Sequence, residues 1–253
     1  MAGNYLIMDT YEKIGKLKQL TDIIGLGYGT EDLAIYLYSI VKMIKPATIL
    51  ELGTGLGSTS LWMALALEEN KKGQLHTFDD GSSWSEIDIS TLIGDYYKND
   101  YKDYIESLIN QFKLEDYIKF YNKDMSSATT FSGIDILFND YLHEPYIIAR
   151  LFADYLLKMN ENSYIFIDGV STSYPSFMIT ETIIKQLNNS TIPKSLLELV
   201  KQEDIQVFRQ RVESTQFELT HIIEHKDRSQ NSTVQIRLKP LDFLPQPRFN
   251  IRF

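Results

Sequence analysis

The stretch Thr48-Ile49-Leu50-Glu51-Leu52-Gly53-Thr54-Gly55-Leu56-Gly57-Ser58 sets the reading of the whole chain. Its first five residues are mostly apolar and partly β-branched, which predicts a short strand. A helical pattern begins at Ser58 and runs to about Glu69. Between them stand three glycines. Glycine at such a turn lets the backbone bend sharply and lets a ligand approach with no side chain in the way. In open α/β sheets ligands bind outside the carboxyl ends of the strands, and the helix that follows offers free N–H groups to an anion. A dinucleotide fingerprint reads G-x-G-x-x-G; Gly53, Gly55 and Gly57 read G-x-G-x-G, preceded by Glu51.

Downstream, Gln74 to Phe78 is a second strand, ending in Asp79-Asp80-Gly81. An acid at that place accepts hydrogen bonds from ribose hydroxyls. Alone, Asp79 reads equally well as a turn aspartate; the glycine loop upstream favours ribose, with Asp80 as the fallback. Strands are also predicted at 117–121, 134–138 and 163–167, the last two continuous and apolar as in a strand covered on both faces. Helices are predicted at 9–20, 31–44, 101–113, 145–159, 176–188 and 194–203, while 82–100 is too polar to assign. Residues 216–224 and 233–238 alternate and predict a final antiparallel hairpin, and the tail from Pro240 reads as extended. Regular strand–helix alternation implies a parallel sheet wrapped by helices. The expected fold class is α/β, a Rossmann-like seven-stranded, mostly parallel sheet with a terminal antiparallel hairpin and helices on both faces. No linker or repeat divides residues 1–253.

The chain has 253 residues, 43% of them hydrophobic, enough for one full core. A formal net charge of −9 disfavours a nucleic-acid partner. The absence of cysteine excludes disulfides, thiolate zinc sites and cysteine nucleophiles. Neither a signal-peptide pattern nor an apolar run of about 20 residues is seen, so a cytoplasmic protein with no membrane partner is expected.

With these residues together, the chain resembles the class I S-adenosylmethionine-dependent methyltransferases over about Thr30 to Gly169. It is most similar to small-molecule O-methyltransferases of the catechol and caffeoyl-coenzyme A type and their bacterial natural-product relatives. The resemblance implies S-adenosylmethionine as donor, with Glu51, Gly53, Gly55, Gly57, Thr59, Asp79 and Asp80 around it. Thr59 would touch the methionine carboxylate. Asp124 would meet the adenine amino group and Met125 the ring, although a solvated loop aspartate is an equal reading of Asp124. Asp140, in Asn139-Asp-Tyr-Leu-His143, falls where such enzymes hold a metal-binding aspartate, and His143 falls on their catalytic base. Asp168 falls on a second metal aspartate. These enzymes have asparagine next, and here Gly169 stands there. A Mg²⁺-type ion on Asp140 and Asp168 is therefore one reading. In the other, Asp140 orients the methionine amine or the substrate and Asp168 holds His143.

Among the four histidines, His76 lies inside the second strand and His221 and His225 in or near the last hairpin, which leaves His143 at a strand's carboxyl end. Tyr28, Trp84, Tyr141, Tyr146 and Tyr174 are candidate pocket aromatics. The resulting organisation is a helical lid (1–45), a donor-binding core (46–170) and substrate-side helices with hairpin and tail (171–253). Expected partners are a small-molecule or peptide-like acceptor and, as an assembly, a homodimer. Two other functions fit a Rossmann fold: a nicotinamide-dependent oxidoreductase, which the glycine spacing and the lack of a Tyr-x-x-x-Lys pair oppose, and a non-catalytic methyltransferase-like binding module.

Overall fold

Strand β1 (Thr48–Leu52) lies inside a seven-stranded sheet of order β3-β2-β1-β4-β5-β7-β6. A computed structural model describes residues 2–24, 31–85, 89–142, 144–224 and 232–241 of the chain. Strands β2 (Gln74–Asp79), β3 (Ile118–Asn122), β4 (Ile134–Asn139) and β5 (Met159–Asp168) pair in parallel around β1. The hairpin then closes the far edge. β6 (Thr215–Ile223) pairs antiparallel with β7 (Ser232–Pro240), and β7 inserts antiparallel beside β5. A dinucleotide-binding Rossmann sheet instead ends with strand 6 beside strand 5, so the inserted β7 separates the two plans.

Helices α1 (Ala2–Ile24), α2 (Glu31–Ile44), α3 (Ser58–Asn70), α4 (Ile89–Ile93) and α5 (Tyr101–Phe112) precede β4 in the chain. α3 is buried on every side from Ser58 to Leu67. A helix apolar all round must be covered all round, and here the sheet lies on one side and α1 and α2 on the other. α1 runs antiparallel along α3. Near one end Lys13 Nζ meets Glu68 Oε1 at 2.6 Å, and near the other Thr21 Oγ1 lies 2.8 Å from Ser58 Oγ. The Trp62 indole N–H also donates to Thr21 Oγ1 at 3.0 Å. The α1 end at Thr21 therefore arrives beside the glycine loop.

The opposite face carries α6 (Pro145–Tyr155), α7 (Tyr174–Asn188), the single turn α8 (Lys194–Leu197) and α9 (Ile205–Glu213). Its core joins Leu137, Phe152, Ile165, Ile184, Phe208 and Ile236.

Some predicted bounds shift. The helix from Pro145 ends at Tyr155, not Met159. Leu156–Lys158 tightens into a 3₁₀ turn, and Met159 already pairs with Ile134 in β5. The polar Asn160-Glu161-Asn162, between the predicted helix and strand, extends the strand beside a register shift in β4. The predicted helix 194–203 is broken into α8 and a 3₁₀ turn at Gln202–Asp204, and α9 follows it. α9 buries only Phe208 and Val212, too few apolar residues to show a period in the sequence. The unassigned 82–100 segment holds 3₁₀ turns at Ser82–Ser85 and Gly94–Tyr96 on either side of α4. Gly25–Gly29, the tip of the final hairpin and the Pro-rich tail lie outside the described residues. No described helix is long and apolar enough to cross a membrane.

Candidate active site

All three glycines of the loop lie at positive φ, where a side chain is strained. Gly53, at φ 95°, passes so close to the chain after β4 that a Cβ would stand 2.6 Å from the Asp140 carbonyl oxygen. Its N–H donates to Phe78 O at 2.9 Å, so β1, β2 and β4 meet at this residue. Gly57, at φ 81°, is the N-cap of α3 and brings no side chain to cap it. The start of this thirteen-residue helix is thus open to an anion from outside. Gly55 donates its N–H to Asp79 Oδ2 at 2.9 Å, while Gly81 N–H donates to Asp79 Oδ1 at 2.8 Å. Asp79 thereby clamps the loop after β1 to the turn after β2. A carboxylate offers about four lone-pair sites, and these two bonds use half of them.

Glu51 lies behind the loop at 1% exposure and accepts a hydrogen bond from the Ser60 hydroxyl. Burial pushes its pKa up to about 7, against the pull of its hydroxyl partners. It holds the first turn of α3 from beneath and does not line the open edge. Thr59 is buried in that same turn. Asp80 is exposed and accepts from Ser82 N–H at 2.9 Å. Asp124 ends the loop after β3 and caps the 3₁₀ turn Met125–Thr130, accepting from Ser126 N–H at 2.8 Å. The Ser126 hydroxyl and N–H hold its carboxyl below the usual carboxylate range. Met125 is buried in the core face with Phe78 and Ala128.

Asp140 is half-buried one residue past β4, its N–H donating to Leu52 O at 2.8 Å. Asn139 is buried beside it and donates to Leu142 O at 2.9 Å, shaping the loop that leads to residue 143. Asp168 is 3% exposed and accepts from the Thr233 hydroxyl at 2.8 Å across β5 and β7. Register pairs Asn139 with Ile167, so Asp140 and Asp168 stand one residue further on the ends of adjacent strands. Among the described residues no three His, Cys, Asp or Glu side chains converge as a metal cluster. His143, Tyr28 and His225 lie outside the described residues.

Two contacts that hold the glycine loop escaped the sequence. The Tyr101 hydroxyl donates to Gly55 O at 2.8 Å, and the Tyr104 hydroxyl to Leu56 O at 3.0 Å. Burial, then the charge of Asp79, pushes the Tyr101 pKa far up, so it stays a donor. Trp84 packs on both tyrosine rings, and Tyr101 lies against Gly81. In the sequence these tyrosines are indistinguishable from the apolar face of α5. Tyr141, Tyr146 and Tyr174 are exposed.

His221, which the sequence sets apart from the ligand edge because it lies in the hairpin, stands level with that edge. β6, antiparallel to β7, runs in the same direction as β1–β5, and the pairs Ile167–Val234 and Val234–His221 bring His221 level with the carboxyl end of β5. His76 sits within β2 against Tyr121, away from that edge.

A seven-stranded sheet of this order, with an antiparallel terminal hairpin, is the Rossmann-like fold of the class I methyltransferases, the kind that draw their methyl group from S-adenosylmethionine. Residues 50–170, from β1 to the turn after β5, match the family model described as Methyltransferase domain. Similar solved structures include the O-methyltransferase TomG from Streptomyces achromogenes, involved in tomaymycin synthesis and in complex with SAM. It is 14% identical, with a TM-score of 0.52 over 90% of each chain. An O-methyltransferase from Bacillus cereus in complex with SAH is 14% identical, with a TM-score of 0.53 over 90% of this chain and 91% of that one. SAH-bound PaMTH1 from Podospora anserina is 13% identical, with a TM-score of 0.53 over 91% and 88%. At such identities the likeness is one of fold. No match was found among curated proteins.

Proposed function

We propose that this enzyme transfers the methyl group of S-adenosylmethionine to a hydroxyl of a small-molecule or natural-product acceptor, with His143 as general base. The observation that carries the reading is the Asp79 clamp on the glycine loop that leads into the uncapped start of α3, which offers an acid and an anion site on one edge. The donor supplies an activated methyl group on a sulfonium, so the protein's part is alignment. In this reading the N-terminus of α3, with Thr59, takes the methionine carboxylate, and Glu51 steadies that turn through Ser60. Asp79 accepts from the ribose hydroxyls, while Asp124 and Met125 meet the adenine. Asp140 orients the amine or the acceptor. His143 takes the hydroxyl proton, since a hydroxyl is a weak nucleophile until that proton leaves.

If a divalent ion takes part, Asp140 and Asp168 are the carboxylates that would hold it, and acceptor and water oxygens would complete its shell. The glycine at 169 and the Thr233 bond to Asp168 favour the metal-free alternative, in which Asp168 holds His143. The preference for oxygen and for natural-product acceptors rests on the neighbours, of which TomG serves tomaymycin synthesis. We further propose that 1–45 is the lid and 171–253 the acceptor side, and that the protein acts in the cytoplasm, as a homodimer, without nucleic-acid or membrane partners. The test is transfer of a tritiated methyl group to phenolic and polyketide acceptors, with and without EDTA. Product labelled on oxygen is expected. Label on nitrogen or carbon alone, or none with any acceptor although the donor binds, contradicts the reading.

A further inference from the structure

A second reactive arrangement lies at the β5–β6 corner of the same edge. Ser171, in the 3₁₀ turn Val170–Thr172 after β5, places Oγ 2.6 Å from His221 Nδ1. His221 Nε2 lies 2.9 Å from Glu181 Oε1 on α7. The Phe177 ring packs against the imidazole with centroids 4.8 Å apart. The hydrogen positions follow from chemistry. A carboxylate only accepts, so Nε2 carries the imidazole hydrogen, and Nδ1 is left as the acceptor for the Ser171 hydroxyl. The side chains of His221 and Glu181 are 22% and 45% exposed, so reagents reach the group.

A hydroxyl bonded to an imidazole that is itself oriented by a carboxylate is the arrangement of an activated serine nucleophile. The two ring nitrogens exchange their usual roles here, which leaves the proton path intact. None of the three residues binds the donor or takes the acceptor's proton in the proposed methyl transfer.

We infer that Ser171, His221 and Glu181 form a base-activated nucleophilic site for carboxylic esters. Ser171 Oγ attacks the ester carbonyl carbon as its proton passes to His221 Nδ1. The bond to the leaving alcohol breaks, and that alcohol takes the proton back from His221. Water then repeats the sequence on the acyl-serine, so ester and water become acid and alcohol with no redox change. Glu181 is a positioning residue that holds the imidazole in the required tautomer.

The test uses the full chain with a fluorophosphonate probe, followed by intact mass and peptide mapping, and with p-nitrophenyl acetate as the ester. One adduct on Ser171 is expected, absent in Ser171→Ala. Its rate should fall roughly 10²–10⁴-fold in His221→Gln and by a smaller factor in Glu181→Gln, an isosteric change at a half-exposed side chain that leaves folding intact. Nitrophenol release should follow the same order. A folded protein with no adduct at Ser171, or an adduct formed at the same rate in Glu181→Gln, overturns the inference. S-adenosylhomocysteine binding should be equal in all three variants, which separates this result from the fate of the methyltransferase reading.

Discussion

Replacing Asp79 by alanine should damage both the architecture of the donor site and its affinity, by amounts that can be worked from its bonds. The carboxylate accepts from Gly55 N–H at 2.9 Å and from Gly81 N–H at 2.8 Å. Hydrogen bonds to a charged group contribute about 1.5–3 kcal/mol each. Asp79 is partly exposed, so water replaces part of what is lost, and the lower figure applies. Two bonds then give about 3 kcal/mol of stability, or roughly 6–12 °C in Tm for a chain of this size. The loss to donor binding comes from the ribose hydroxyls that the remaining lone pairs would accept, about 2–3 kcal/mol. This is roughly a 30- to 150-fold weaker Kd for S-adenosylhomocysteine. Asp80→Ala is the control. Asp80 is exposed and its one backbone bond, to Ser82, joins near neighbours, so both effects should be small. Calorimetric titration and thermal unfolding of the two variants read the contrast. Asp79→Ala that binds S-adenosylhomocysteine within about threefold of the parent, at the temperatures where it is folded, would refute the assignment of Asp79.

Glu51→Gln should reveal a pH-dependent burden. The Glu51 pKa is raised from 4.5 to about 7 by burial, so its contribution to stability is full below about pH 4.5 and is lost as pH rises through 7. At 1.36 kcal/mol per pH unit this amounts to roughly 3 kcal/mol; urea unfolding should show Glu51→Gln gaining about that much on the parent between pH 4.5 and 8, and parallel curves would disprove it. Gly53→Ala forces a Cβ to 2.6 Å from the Asp140 carbonyl at φ 95°, so a loss of about 3 kcal/mol or more is expected. Gly94→Ala, with nothing within 4 Å and φ 52°, should cost only about 1 kcal/mol of backbone strain. His143→Ala should lower methyl transfer roughly 10²–10⁴-fold with donor affinity unchanged, and unaltered turnover at neutral pH would remove it from the mechanism.

The parallel half of the fold was legible because its strands are short apolar runs ending in glycine or acid, and β1, β4 and the hairpin fall within a residue or two of expectation. The glycine loop was legible as a loop, and so was the place of Asp79. The partners of Asp79 were not, because its hold on Gly55 and Gly81 depends on how far apart two turns fall in space. The bond from the Ser60 hydroxyl to buried Glu51 was not legible either, since it joins β1 to the first turn of α3 across the glycine loop. His221 was discounted because a hairpin looks like an appendage in sequence, and only the insertion of β7 between β5 and β6 turns β6 back toward the ligand edge. Tyr101 and Tyr104 carry no signal beyond helical period, since their hydroxyls reach carbonyls some 46 and 48 residues away.

The most direct test of the central claim is a crystal structure of the chain grown with S-adenosylhomocysteine, with a parallel titration against NAD. The account predicts one nucleoside at the carboxyl edge, its carboxylate at the start of α3 and its ribose hydroxyls on Asp79, and no binding of NAD. Density at the amino edge of the sheet, or a site that takes NAD and refuses S-adenosylhomocysteine, would contradict it.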